Sequence, residues 1–407
     1  MPRLTVRSAA SLRRARLAEL ALAVGGFAIG TGEFAAMGFL PSVASGLGVT
    51  IPEAGRSISA YALGVVVGAP LIAVLGAKLS RRTLLLVLMT LFAVGNLASG
   101  LAPNFLSLLG LRFVSGLPHG AYFGVAALVA AGMAGPEGRA RAVGRVMLGL
   151  TTATLIGTPL ATWAGQTLGW RAAFVVVGSL AVVTLALVML CVPRDRPKRG
   201  AGPLRELGAL KEPQVWLTLG IAAIGFGGMF AVFSYITPTL INVAGIPAPL
   251  VPVVLTLFGA GMVTGNVVGP RFADRALLLT IGGAILWTGA ALAFFSIAVH
   301  NPWTAALAVF LVGTSFAAGP ALQTRLMDVG KEAQTLSAAL MHSAFNIANA
   351  LGAWLGGVVI AAGYGWASTG FLGAILAVAG FGVFGVSLAL ERAERRAASR
   401  GLVRGAA

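Results

Sequence analysis

Glu33 is the one carboxylate set deep within an apolar run of this 407-residue chain. An ionisable group in hydrocarbon costs at least about 2.5–3.5 kcal/mol on insertion scales, so its presence calls for a use. A carboxyl group there can take up and release a proton, as a proton carrier must; a hydrogen bond tying two helices together is the plainer use. Arg112, Ser115 or Gly116, and His119 recur at i, i+3 or i+4, and i+7. That is the spacing of one helical face, and Tyr122 and Phe123 continue it. The guanidinium of Arg112 stays charged and needs a partner or a water-filled cavity, and Glu33 is the deep carboxylate on offer. Imidazoles titrate near physiological pH, so His119 is either a second proton site or a neutral packed ring.

A second polar face carries His342, Asn346 and Asn349 at i, i+4 and i+7. Gln323 follows Pro320, and Tyr235 precedes Pro238. Amides and phenols suit hydrogen bonding to a neutral polyol or an amphipathic drug; the same groups also hold helices to one another. No catalytic triad, metal cluster or phosphate loop is visible, and His119, His300 and His342 lie far apart in sequence. The single cysteine, Cys191, rules out an internal disulfide and a Cys-based zinc site. No enzyme chemistry, cofactor or metal is expected.

These side chains need a frame that holds them in lipid. The chain is 57% hydrophobic and only 10% charged, with a mean hydropathy of +0.91. Soluble domains carry about 25% charged residues, so lipid is the solvent for most of this surface. A spanning helix takes about 20 apolar residues. Twelve runs qualify, near 17–40, 56–77, 83–102, 104–132, 139–163, 170–192, 214–241, 249–270, 276–298, 303–327, 334–361 and 365–390. The fold class is therefore an all-α membrane protein with twelve transmembrane helices. The basic N-terminus (Arg3, Arg7, Arg13, Arg14, Arg16) precedes an apolar run that continues past about 20 residues and contains Glu33, so it reads as a retained first helix rather than a signal peptide.

The net charge of +17 would suit nucleic acid, but its placement is topogenic. Twenty-six of the 29 lysines and arginines fall in the N-terminal tail, at Lys78/Arg81/Arg82, at Arg139/Arg141/Arg145, in the loop 193–213, at Arg271/Arg275, at Arg325/Lys331 and in the C-terminal tail. The opposite loops hold only Arg56 and Arg171. By the positive-inside rule the basic side is cytoplasmic, which places both termini inside a plasma (inner) membrane and removes nucleic acid as a partner.

The longest hydrophilic stretch divides the spans six and six. The expected units are a tail 1–16, an N-terminal half 17–192, a linker 193–213, a C-terminal half 214–390 and a tail 391–407. The halves resemble each other. Gly64-x-x-x-Gly68 runs toward Arg81-Arg82, and Gly261-x-x-x-Gly265 runs toward Arg271 and Arg275; 261 minus 64 is 197. Two parallel repeats about an axis along the membrane normal form a transporter architecture. The 56 glycines fit helices that approach closely.

These residues resemble the major facilitator superfamily, in its twelve-span drug/proton antiporter branch. One mark is the loop pair Arg81-Arg82 and Gly269-Pro270-Arg271-Phe272-Ala273-Asp274-Arg275. Arg112-Phe113-Val114-Ser115-Gly116 is another. The third runs from Gly149 through Gly157-Thr158-Pro159 to Gly165, a loose form of the antiporter glycine-proline motif. Within the branch the chain is similar to arabinose efflux permease-like proteins, on Gly30–Phe34, Ser59–Pro70, Ser115–Gly124 and Phe233-Ser234-Tyr235. It departs from the pattern at Ser80, near the place of the usual loop aspartate; only the second copy keeps one, Asp274.

The resemblance implies a proton-coupled exporter of a sugar-like or drug-like solute, functional as a monomer and working by alternating access. Glu33, Arg112 and His119 would couple protons. Tyr122, Phe123, Tyr235, Gln323, His342, Asn346 and Asn349 would bind the solute. A cavity lined by Phe and Met favours chloramphenicol-like drugs, one lined by Asn, Gln and Tyr favours sugars, and metabolite import is a further rival. A receptor or scaffold would not need the half-to-half repeat.

Overall fold

The computed structural model describes residues 9–76, 79–134, 139–195, 211–330 and 334–404. Ten helices among them are long and apolar enough to cross a membrane. The ten, the second arm of Val251–Ala298 and the 25-residue helix Ile51–Leu75 make twelve crossings. In chain order they are α1 (Ala9–Gly38), α2 (Ile51–Leu75), α3 (Arg81–Gly100), α4 (Phe105–Met133), α5 (Ala142–Thr167), α6 (Trp170–Cys191), α7 (Pro213–Ser234), α8 (251–275), α9 (276–298), α10 (Pro302–Val329), α11 (Leu340–Tyr364) and α12 (Ser368–Arg404).

Local chemistry sets the boundaries. Ser80 caps α3 by accepting from the Thr83 N–H, and Asn104 with Ser107 forms a reciprocal capping box at the start of α4, so the first orphan amides are satisfied. Pro118, which has no N–H to give, divides α4 between Gly116 and His119. The first span stops short of 40 because the chain turns at Phe39 into a separate helix Leu40–Leu47 that starts with Pro41. Spans 8 and 9 are one helix bent at Ala276 (φ −157°, ψ 80°), so Arg271–Arg275 is helical rather than a loop. The expected C-terminal tail from 391 is helical to Arg404, since Ala, Arg and Glu are strong helix formers. Most of the expected linker, 196–210, lies outside the described residues, as do Lys78, Lys331 and the first eight residues.

The repeat is visible as backbone contact. A Cβ on Gly64 would collide with the Phe113 carbonyl, and one on Gly261 with the Phe310 carbonyl. Gly116 lies against the Tyr61 carbonyl, and Gly313 against that of Phe258. The numbers 64/261, 113/310, 116/313 and 61/258 each differ by 197, as do the helix caps Asn104 and Asn301. Thus α2 meets α4 as α8 meets α10.

Two buried clusters fill the molecule. One belongs to the N-terminal half alone and includes Leu22, Leu88, Phe92 and Val146. The other joins the halves at the end away from the basic segments, with Phe39, Ile58 and Trp170 on one side and Phe230, Tyr235 and Leu255 on the other. There the Thr237 hydroxyl donates to the Gly38 carbonyl at 2.8 Å, and the Ser59 hydroxyl to the Ala350 carbonyl at 3.1 Å.

Candidate functional site

A cavity of about 370 Å³ lies between the halves. Its walls come from the basic-end portions of α5 (Met147, Thr151), α10 (Phe316, Gln323) and α11 (His342, Phe345, Asn346), with Asn266 from α8. Its floor is Glu33, Phe34, His119 and Phe230. The halves touch beyond that floor, and the wall residues lie in the basic-end portions of their helices, so the cavity extends from the floor toward the basic segments.

Glu33 is 6% exposed and meets both halves. Asn349 of α11 donates through Nδ2 to its Oε1 at 3.4 Å, and His119 Nε2 lies 3.9 Å from its Oε2. The other nitrogen of that ring, Nδ1, is 2.9 Å from the Tyr61 hydroxyl. The Arg112 guanidinium sits 4.3 Å over the Tyr61 ring and 5.2 Å from that of Phe174. The helical spacing thus brings Arg112 and His119 to Glu33 as expected, but Arg112 does not grip the carboxylate. Its Nη2 donates to the Gly32 carbonyl at 3.1 Å, because the Glu33 side chain turns toward α11. Its Nε and Nη1 have no hydrogen-bond partner among the described residues.

Of the expected solute ligands, Gln323, His342 and Asn346 line the cavity. Gln323 Nε2 and Asn346 Oδ1 are without a hydrogen-bond partner among the described residues. Phe123 stacks on His342 at 5.5 Å with rings 5° from parallel, joining the halves behind the wall. Tyr122 and Tyr235 are fully buried and pin helices, donating to the Leu22 and Ala353 carbonyls at 2.9 and 2.7 Å. Asn349 is also fully buried, against Glu33 rather than the cavity. Sequence reasoning missed Tyr61, Asn266 and the phenylalanines Phe34, Phe230, Phe316 and Phe345, since a phenylalanine in an apolar span reads as core. It also passed over Glu19, whose carboxylate takes a two-point bond from Arg145 at 2.6 and 2.9 Å near the basic end of α1.

The helix motif serves close approach. Gly149 meets the Ala23 carbonyl, Gly157 the Thr31 hydroxyl and Gly165 the Phe39 ring, so α5 lies flush on α1. Pro159 follows a wide turn at Ala153–Gly157. At the N-terminus of α3, the Arg81 and Arg82 amides donate to Asp195 at 3.0 and 3.1 Å. Partial burial alone would push the Asp195 carboxyl up, but those amides and the Ser80 hydroxyl hold it below its ordinary value. The side chains of Arg81 and Arg82 reach the Leu128 and Met189 carbonyls at 3.3 and 2.5 Å. In the second copy, Gly269 packs on the Ala317 carbonyl, while Arg271, Asp274 and Arg275 are exposed.

A family model described as Major Facilitator Superfamily matches residues 22–341. The inner membrane transport protein YdhP of Escherichia coli (strain K12) is 40% identical over 359 residues, 88% of this chain and 92% of that one. The putative transporter AraJ of the same organism is 35% identical, covering 88% and 92%. A chloramphenicol resistance protein of Streptomyces lividans is 35% identical, covering 81% and 86%. In fold the chain is similar to a bacterial homologue of the lysosomal transporter Spinster, crystallised inward-facing and occupied, with a TM-score of 0.68, 18% identity and coverage of 91% and 96%. The chain belongs to the Major Facilitator Superfamily and is a multi-pass membrane transporter, not an enzyme.

Proposed function

We propose that this member of the Major Facilitator Superfamily exports a small amphipathic solute from the cytoplasm in exchange for protons. The observation that carries the reading is the position of Glu33: a buried carboxylate on the floor of the cavity between the halves, touched by both halves at once. A group so placed changes its surroundings whenever the halves rock, and this links proton binding to conformation. The cavity extends from that floor toward the basic segments, and such segments stay cytoplasmic, so in this reading the solute enters from the cytoplasm.

The lining favours a solute with an aromatic or apolar face and a few hydrogen-bonding groups. Phe34, Phe230, Phe316 and Phe345 surround the space, and Phe316 and Phe345 stack at 5.7 Å. A chloramphenicol-like compound fits this chemistry. The unpartnered amide atoms of Gln323 and Asn346 support the second reading, a sugar, whose hydroxyls would satisfy them. In an exporter-deficient bacterial host, expression should lower accumulation of radiolabelled chloramphenicol, with labelled arabinose run in parallel. Efflux of arabinose alone selects the sugar reading, and efflux of neither defeats both. Glu33→Gln, which keeps the shape and loses the titration, should permit downhill exchange but not accumulation driven by a pH gradient.

A further inference from the structure

Asn349 is the point at which the C-terminal half senses the proton on Glu33: we propose that its amide is a positioning group that makes protonation of Glu33 depend on whether the halves are closed beyond the cavity floor. This rests on Glu33 being the proton site. Asn349 is fully buried on α11, and its Nδ2 donates across the interface to Glu33 at 3.4 Å. Its Oδ1 has no hydrogen-bond partner among the described residues. Burying an amide with only one of its groups satisfied is costly, and here the one side-chain bond it makes is to Glu33. A residue kept only to glue helices would bond a backbone carbonyl, as Ser59 does one residue along α11, at Ala350.

The surroundings of Glu33 divide by half. From the N-terminal half, α4 presents His119 and Arg112, and α2 presents Tyr61. These travel with Glu33 as one body. From the C-terminal half, α11 presents Asn349, with His342 farther off, 6.3 Å from the His119 ring. The Asn349 bond is therefore the hydrogen bond of Glu33 that separation of the halves at this end must break.

His119 is set to complement it. If Nδ1 carried the proton, the Tyr61 hydroxyl would lose its acceptor, and the Nε2 lone pair would face the carboxylate. With Nδ1 accepting from Tyr61, Nε2–H points at Glu33. The ionised carboxylate then accepts a hydrogen bond from Asn349 at 3.4 Å and faces the His119 N–H at 3.9 Å, and a hydrogen bond to an ionised acceptor is about twice as strong as a neutral one. In this conformation the proton leaves toward the basic side. Parting the halves at the floor withdraws the Asn349 donor and lets a proton bind from the other side, which is the sequence of events an antiporter needs.

The test uses the full chain without solute. Nitroxides at Leu101 and His300, both exposed in the loops away from the basic side, report the opening of that end after Cys191→Ser removes the native thiol. In the reference protein, the ratio of closed to open distances should rise as pH goes from about 6 to about 8. The swing should vanish in Glu33→Gln. In Asn349→Leu and Asn349→Ala, one filling the space and one adding no bulk, it should shrink about tenfold, the worth of one hydrogen bond to a charged group. An Asn349 variant that swings like the reference protein overturns the inference and leaves Glu33 as the proton site. A swing that survives Glu33→Gln removes the proton site itself, and the inference with it.

Discussion

The two halves share a frame and differ in what they hang on it. At an offset of 197, Gly64 and Gly261, Gly116 and Gly313, and Asn104 and Asn301 do the same work. At the same offset, Glu33 answers to Phe230, Tyr61 to Phe258, Arg112 to Val309 and His119 to Phe316. Each of these four N-terminal members of the buried polar network has an apolar counterpart. Phe258 stacks on Phe233 at 3.9 Å where Tyr61 bonds His119, and Phe230 lies parallel to Phe34 across the interface. The frame is constrained by backbone contact, which leaves glycine no substitute. The cavity lining is free to specialise: the N-terminal half supplies the buried Glu33 and His119, and the C-terminal half supplies aromatic surface and the amides of Asn266, Gln323, Asn346 and Asn349.

The largest way to break this asymmetry is at Arg112. Arg112→Ala removes a fully buried side chain stacked on Tyr61 and opens a void, and truncating a large buried side chain to alanine costs about 2–5 kcal/mol. Transport should be lost, and thermal stability in detergent should fall steeply. The counterpart change Val309→Ala should cost only about 1 kcal/mol, the low end for large-to-small core changes. Equal losses at the two positions would refute the division of labour. Arg112→Lys should rescue poorly, because an ammonium lacks the planar fork that lies over a ring.

Next come the glycines, where the halves should respond alike. Gly64→Leu and Gly261→Leu each drive a side chain into a carbonyl of the neighbouring helix. Overpacking of this kind costs about 1–3 kcal/mol, and here it also props α2 from α4 or α8 from α10. Both variants should fall in folded yield and in transport rate; a silent variant in one half would show that the repeat is not mechanical. A smaller effect is expected from exchanging one oxygen. Tyr61→Phe leaves His119 Nδ1 unpaired and should cost about 1–3 kcal/mol, with a tenfold or greater fall in proton-driven transport. Phe258→Tyr should not supply a second network.

How far the sequence reaches follows the same division. The face shared by Arg112 and His119 and the 197-residue repeat are legible, because helical periodicity has few readings; the partner of Arg112 is not, since its guanidinium bonds the Gly32 carbonyl rather than the Glu33 carboxylate. Tyr61 is not, because a tyrosine in an apolar span announces no partner. Tyr122 and Tyr235 were expected to bind solute, yet both phenols are spent on carbonyls within the bundle. Sequence periodicity assigns a residue to a face, but whether that face meets a cavity or another helix depends on the conformation. Asn349 illustrates this: it shares a face with His342 and Asn346 but lies one turn deeper, where the halves touch.

The smallest expected effect concerns the basic-side loops, where the halves differ again. The second copy keeps Asp274, exposed on the helix leading into the bend at Ala276. At the 197-residue offset the first copy has Ala77, with Ser80 near that place, and a carboxylate comes from another loop: Asp195, after α6, receives the Arg81 and Arg82 amides. An anion at a helix N-terminus satisfies orphan amides and meets the positive end of the dipole. It also ties the start of α3 to the end of α6, so the arginines can reach the final turns of α4 and α6. Asp195→Ala should cost about 1 kcal/mol, as the loss of a cap does, and Asp274→Ala should cost less than about 0.5 kcal/mol, the usual range for surface positions. The pH dependence separates them further. The Asp195 carboxyl is held below its ordinary value in the folded protein, so its contribution is complete above the ordinary carboxylate range and disappears as pH falls through the lowered value. Melting of the detergent-solubilised protein from about pH 7 down to about pH 3 should show the reference protein losing stability and converging on Asp195→Ala, whose own curve lacks that component. Parallel curves at every pH would mean that Asp195 acts by packing rather than by charge.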